Sequence, residues 1–424
     1  MTIIDLDQAA TASVRRRVLE AMWPHLTGDY GNPSSTHALG RRAADALADA
    51  RARIARLLGV RAAQIVFTSG GTEADNLGVI GLTLAAIAAG RDRHVVVGAV
   101  EHEAVLAAAD HLARWHGVEV TRLGVDAFGR YSAGELEGLL RPGSALVAVQ
   151  HANNEVGTIQ PVDALVRAAR AVGARVHVDA VQTAGWMPVV PPAPGAASTA
   201  AGADARPDGV AISGHKVGAP KGVGALILPT GAPIEPLIHG GGQERDRRSG
   251  TENVAGAVGL AAALELAEEE RRGSGAPVGP LPGAPTGELA APTGELAGQP
   301  AGKLAADVAA RRDRFIADVL ASIPGATLTG HPTERLPAHA SFIVPGIGGE
   351  PLLIALDERG IIASSGSACA AGRDEPSPVL LAMGFTPDEA RTAIRFTGGA
   401  STLQDEWTRA ATELAASARS LGVS

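Results

Sequence analysis

Between about Gln64 and Pro229 the chain alternates short β-branched runs with Ala- and Leu-rich stretches. The runs are QIVF, HVVVGAV from His94, VEVTRL from Val118, ALVAVQH from Ala145, RVHVDA from Arg175, GVAIS from Gly209 and GALIL from Gly224. Strands this continuously apolar need cover on both faces, and the helical stretches between them are long enough to cross over to a parallel neighbour. The pattern predicts an α/β fold, with a mostly parallel sheet flanked by helices. In such a sheet ligands sit beyond the carboxyl ends of the strands, so the polar residues that follow each strand are the places to look for chemistry.

With 424 residues, 46% of them hydrophobic, the chain can bury a large core and fill two or three domains. A formal net charge of -8 and dispersed Lys and Arg leave no basic footprint for nucleic acid, so a small molecule or a protein is the expected partner. The single cysteine excludes an intrachain disulfide framework and any CxxC metal cluster, which fits a reducing, cytoplasmic setting. The opening MTIIDLDQAATASVRRR has acidic residues where a signal peptide carries positive charge. The longest apolar run, VIGLTLAAIAAG from Val79, is too short to span a bilayer, and no membrane segment is expected.

Two stretches break the alternation. Pro191 to Pro207 is a Pro/Ala/Gly loop, and Arg271 to Lys303 carries the tandem copy APTGELA-APTGELA. Neither has apolar periodicity, so both read as surface insertions, too short and polar for a stacked repeat. The expected organisation is an N-terminal segment 1–13 packed near the small domain, a large domain 14–270 with an insertion at 191–207, a low-complexity insertion 271–303, and a smaller α+β domain 304–424. The last contains SSGSACAAG, a Gly- and Ser-rich loop with the lone Cys369.

Four post-strand motifs carry chemistry. Ser213-Gly214-His215-Lys216 puts a lysine at a strand end, where partial burial makes an amine a Schiff-base nucleophile; alone it also reads as a solvated loop lysine. His177-Val178-Asp179-Ala180-Val181-Gln182 ends a buried strand on a carboxylate, which needs a cation such as a protonated pyridine nitrogen unless it merely caps the next helix. Phe67-Thr68-Ser69-Gly70-Gly71-Thr72-Glu73 runs strand, Gly-Gly turn, helix start: a phosphate cradle, or a plain turn. His102, after HVVVGAVE, can stack on a flat ring or satisfy a local hydrogen bond.

With cradle, imidazole, carboxylate and lysine in that order along the chain, the sequence resembles aminotransferase class V, the pyridoxal-phosphate enzymes of fold type I, and within it the group I cysteine desulfurases. The resemblance rests on LDQAAT at Leu6, YGNPSSTH at Tyr30, FTSGGTEADN at Phe67, EHEAVL at Glu101, NNEVGTIQP at Asn153, HVDAVQ at His177, SGHKVGAPKGVGAL at Ser213, GGGQERDRRSGTEN at Gly240, SSGSAC at Ser364 and IRFTGG at Ile394. It implies that Lys216 holds pyridoxal 5'-phosphate as a Schiff base, Asp179 pairs with the ring nitrogen, Gln182 contacts the ring hydroxyl and His102 stacks on the ring. Gly71, Thr72, Ser213 and His215 would hold the phosphate, with Thr251 reaching it from the other subunit of a homodimer. Asn154, beside the cofactor, and Arg395 would bind the substrate α-carboxylate, with Asn32 a further candidate. Asp246 stands where the family usually has a small residue, and the two insertions depart from its typical member.

The implied reaction takes L-cysteine to L-alanine and leaves the sulfur as a persulfide on Cys369, a catalytic residue with Lys216 and His102. Sulfur would pass to acceptor proteins such as an iron-sulfur scaffold or a tRNA-thiolation enzyme. Selenocysteine lyase, another class V lyase or transaminase, and a non-catalytic sulfur-transfer scaffold are the alternatives, and an inert buried thiol is the bland reading of Cys369. One cysteine with scattered histidines offers no preformed metal site; Cys369 could at most help hold a transient cluster with a partner.

Overall fold

In a computed structural model, the described residues are 3–191, 205–272, 303–365 and 375–422. All seven runs of the alternating region form strands of one sheet: β1 (Ile65–Thr68), β2 (His94–Gly98), β3 (Glu119–Leu123), β4 (Leu146–Gln150), β5 (Arg175–Asp179), β6 (Gly209–Ser213) and β7 (Gly224–Ile227). Their order is β1-β7-β6-β5-β4-β2-β3. Strand β7 runs antiparallel to both of its neighbours, and the other pairings are parallel.

Side chains alternate across a strand, and here both faces are dry. Val147, Val149, Val176, Val178 and Ile212 enter one core, whereas Val95, Val97, Leu146, Ala148 and Ala211 enter the other. On the first face the helices Arg16–Thr27, Ala38–Leu57 and Val254–Arg272 pack together. Arg15, just before the first helix, Arg17 within it and Arg53 of the second pair with Glu270, Glu269 and Glu265 of the third.

A second core gathers around a smaller sheet, ordered Ser364–Ser365, Ala393–Thr397, His339–Ile343, Thr327–Leu328. Phe315, Phe342, Phe396 and Trp407 fill it, the Phe315 and Trp407 rings 4.8 Å apart between centroids. Ile4 and Leu6 are buried in this same core, because Ile4–Asp5 pairs with Ile361–Ile362. The helical run expected after Lys303 is the helix Lys303–Ser322. Most of the expected insertions, 192–204 and 273–302, and the segment 366–374 with Cys369 lie outside the described residues. Among the described residues no helix is long and apolar enough to cross a membrane.

Candidate active site

The carboxyl edge of the sheet delivers the site one element at a time. After β1 come Ser69, Gly70 and the helix Gly71–Asn76. After β2 comes His102, the N-cap of the helix Glu103–His116, whose Nδ1 accepts from the Ala104 amide at 3.1 Å. Strands β4, β5 and β6 end on Gln150, Asp179 and Ser213, with Asn154 and the Gly214–Lys216 turn just beyond. Antiparallel β7 brings its starting end, Lys221 and Gly222, to the same edge. These residues, with Ala9, Ala10 and Arg395, line one cavity of about 490 Å³.

One end of the cavity is built for an anion. A Cβ on Gly71 would stand 2.8 Å from Val181 Cγ2 and 3.3 Å from Ser213 Cβ, so only glycine leaves this space open. The Ser213 hydroxyl is buried without a hydrogen-bond partner among the described residues, although buried polar atoms are normally paired. Amides at the start of a helix, an orphan hydroxyl and Lys221 form a donor set that fits a phosphate. Glu73, on the same turn, also lines the cavity, its carboxylate engaged by Arg248 at 2.9 Å and the Ser69 amide at 2.8 Å.

The floor is acidic. Burial raises the Asp179 pKa, opposed by the Val181 amide that donates to its Oδ1 at 2.9 Å and by the charges of His102 and Lys216. Beside it, burial and the negative charges of Asp179 and Glu101 push Asp75 well up. Asp75 Oδ1 lies 3.0 Å from His177 Nε2, but burial depresses this histidine to about 3, so the two share a neutral hydrogen bond and not an ion pair. Burial likewise lifts Glu101 to about 8, although Tyr131 Oη and the Gln150 amide donate to its Oε1 at 2.6 and 2.8 Å. Carboxyls packed this closely cannot all ionise, and a cationic group placed opposite Asp179 would favour its charged form.

Lys216 Nζ donates to the carbonyls of Ala9 and Ala10 at 2.6 and 2.8 Å, and Gln182 Nε2 to Ala9 at 3.2 Å. His215 Nδ1 is 3.2 Å from Thr11 Oγ1, and burial, with Lys216 and Lys221 nearby, lowers its pKa to about 4. The Arg395 guanidinium is buried and partly committed: Nη1 donates to the Asn154 carbonyl at 2.9 Å and Nη2 to Asp7 at 2.7 Å, while Nε has no partner among the described residues.

Of the residues singled out in sequence, Gly71, Thr72, His102, Asn154, Asp179, Gln182, Ser213, His215, Lys216 and Arg395 line the cavity. Asn32 and Thr251 are exposed and do not line it within this chain; Asn32 Oδ1 accepts from the Ser34 amide. Asp75 and Gln150 are cavity residues that sequence reasoning passed over. Asp75 had a signal: it stands three residues after Thr72, on the same helix face.

Comparison with known proteins agrees with this geometry. Residues 4–272 match the family model described as Aminotransferase class-V. The chain is 38% identical to a cysteine desulfurase IscS of Dictyoglomus turgidum, over 95% of this chain and 91% of that protein. It is 40% identical to a cysteine desulfurase of Cereibacter sphaeroides, over 97% and 93% respectively. A solved NifS-like protein superposes with a TM-score of 0.80 at 32% identity, over 98% of this chain and 99% of that one. Anion cradle, buried acid and lysine thus occupy the strand ends of a chain that belongs to aminotransferase class V, as a cysteine desulfurase.

Proposed function

We propose that the cavity holds pyridoxal 5'-phosphate, the cofactor of class V enzymes, and acts there on L-cysteine. The observation that carries this reading is that an orphaned hydroxyl beside a Cβ-free cradle and the buried carboxyl of Asp179 face one cavity that Lys216 also lines. When bound, the cofactor supplies an electron sink beside the substrate α carbon. Gly71, Thr72, Ser213 and His215 hold its phosphate, and Thr251 reaches the site from the second subunit of a homodimer. Asp179 would keep a proton on the ring nitrogen, Gln182 would contact the ring hydroxyl and His102 would stack on the ring. Lys216 would hold the cofactor, and its Nζ would take the substrate α-proton. Arg395 and Asn154 orient the substrate carboxylate, Arg395 through its uncommitted Nε.

Cys369, as thiolate, takes the sulfur that leaves the substrate β carbon and becomes a persulfide, while the three-carbon remainder departs as alanine. A thiol has an ordinary pKa of about 8.5, so a nearby base such as His102 must take its proton. We place the sulfur's destination at an acceptor protein, with an iron-sulfur scaffold favoured by the IscS relatives. We also divide the chain into a cofactor-holding part, 14–270, and a smaller part, 304–424, with 1–13 joined to the latter; the burial of Ile4 and Leu6 among Phe315, Phe342 and Trp407 supports this. The test is to mix purified protein with L-cysteine, quantify alanine, and look by mass spectrometry for one added sulfur on the Cys369 peptide. Cys369→Ser should keep the cofactor colour and lose both persulfide and sulfide; native sulfide release would sink the assignment.

A further inference from the structure

The motif NNEVGTIQP gives the site Asn154, and the next residue, Glu155, is buried, with the charges of cavity residues Arg395 and His102 acting on its carboxyl. Its backbone is fixed: the Asn153 side chain accepts from the amides of Glu155 and Val156 at 2.8 and 2.9 Å. Its Oε2 accepts from the hydroxyl of Ser377 at 2.5 Å. Ser377 is 1% exposed and also caps the helix Pro378–Ala382, its Oγ accepting from the Leu380 amide at 3.1 Å. This serine lies eight residues after Cys369.

The other stem leads to the same place. Ser364 and Ser365, four to five residues before Cys369, pair antiparallel with Arg395 and Ile394. Arg395 in turn donates to the carbonyl of Asn154, the residue joined to Glu155. A closed circuit, Ser364 to Arg395 to Asn154 to Glu155 to Ser377, therefore ties both stems of the Cys369 segment to the carboxylate-binding end of the cavity. Backbone pairing secures the first stem whatever its side chains are. On the second, the Ser377 hydroxyl goes to the Glu155 carboxyl, and Val379 and Leu380 are buried just beyond it.

We propose that Glu155 is a positioning residue for sulfur transfer, fixing the C-terminal stem of the Cys369 segment to the cofactor site through Ser377. The inference rests on Cys369 being the sulfur acceptor. Removing the donor leaves a buried carboxyl unpaired, so the docked stem should lose roughly tenfold in population.

The experiment compares Ser377→Ala, Ser377→Thr and Glu155→Gln in the purified holoenzyme. Ser377→Ala should keep the cofactor spectrum and its change on adding L-cysteine, yet form persulfide on Cys369 about tenfold more slowly. Ser377→Thr, which keeps the hydroxyl, should restore the rate, and Glu155→Gln should fall between. Amide exchange of residues 379–383 in cofactor-free protein should quicken in Ser377→Ala and return to native in Ser377→Thr. A persulfide rate within twofold of native in Ser377→Ala, or failure of Ser377→Thr to rescue, would overturn the proposal. Should Ser377→Ala not fold, Glu155→Gln carries the same test. If Cys369 is not the acceptor, Cys369→Ser keeps native sulfide release, whereas the exchange measurement still decides whether the stem is anchored.

Discussion

Asp246 ends a run of three residues whose backbone carries a cost. Glu244, Arg245 and Asp246 all sit in the left-handed region, with φ of 51°, 61° and 63°. A side chain there is strained by about 1 kcal/mol, somewhat less for Asp, and glycine is free of the strain. Asp246→Gly should therefore raise unfolding free energy by about 0.5 to 1 kcal/mol in urea denaturation. Glu244→Gly, two residues earlier on the same backbone, should do the opposite. Its carboxylate is buried and takes the fork of Arg51 at 2.6 and 2.7 Å and the Phe67 amide at 3.1 Å. Stripping a buried pair of one partner costs about 3 to 5 kcal/mol, which exceeds the relief of strain. If both variants shift stability in one direction, backbone conformation alone governs this turn.

At the scale of elements, the strand Ala393–Thr397 does more than close the second sheet. Arg395 on it reaches the N-terminal segment at Asp7 and the loop after β4 at Asn154, contacts that need two separate nitrogens of one planar group. A lysine lacks the planar fork that holds these two separate partners and still leaves a third nitrogen for the substrate, so Arg395→Lys should raise KM for L-cysteine about tenfold with the cofactor spectrum kept. An unchanged KM would remove Arg395 from substrate binding. The elements themselves were legible in the sequence. Seven apolar runs became seven strands, and four post-strand motifs met at one edge, because local hydrophobic periodicity and the βα connection dictate both. Pairings between distant elements were not legible. His177 meets Asp75 across 102 residues and Ser377 meets Glu155 across 222, and no spacing rule along a single chain encodes such contacts. The sense of β7 escaped for the same reason, since an apolar run looks alike in either direction.

For the whole molecule, buried acids and buried histidines set how stability varies with pH. His177 and His151, which burial lowers to about 3 and about 4, bind no proton when folded but do so when unfolded below pH 6.5, so they favour unfolding in acid. Above their unfolded pKa that effect is gone. Glu101 acts in the other direction. Folded, it keeps its proton up to about 8; unfolded, it releases it near 4.5. Between those values the native state binds more protons, so stability falls as pH rises, by about 1.4 kcal/mol per pH unit for one group. Glu155, raised by burial to about 7, adds to the slope in the lower part of this range. From pH 6.5 to 8 the histidines no longer compensate, and unfolding free energy should drop with pH. Glu101→Gln preserves an oxygen to accept from Tyr131 and the Gln150 amide but has no proton to release. The gap between this variant and the native chain, followed by denaturant unfolding of the cofactor-free protein, should widen by about 2 kcal/mol over that interval. Parallel curves would mean that Glu101 is already ionised at pH 6.5, and its hydrogen bonds would then outweigh its burial.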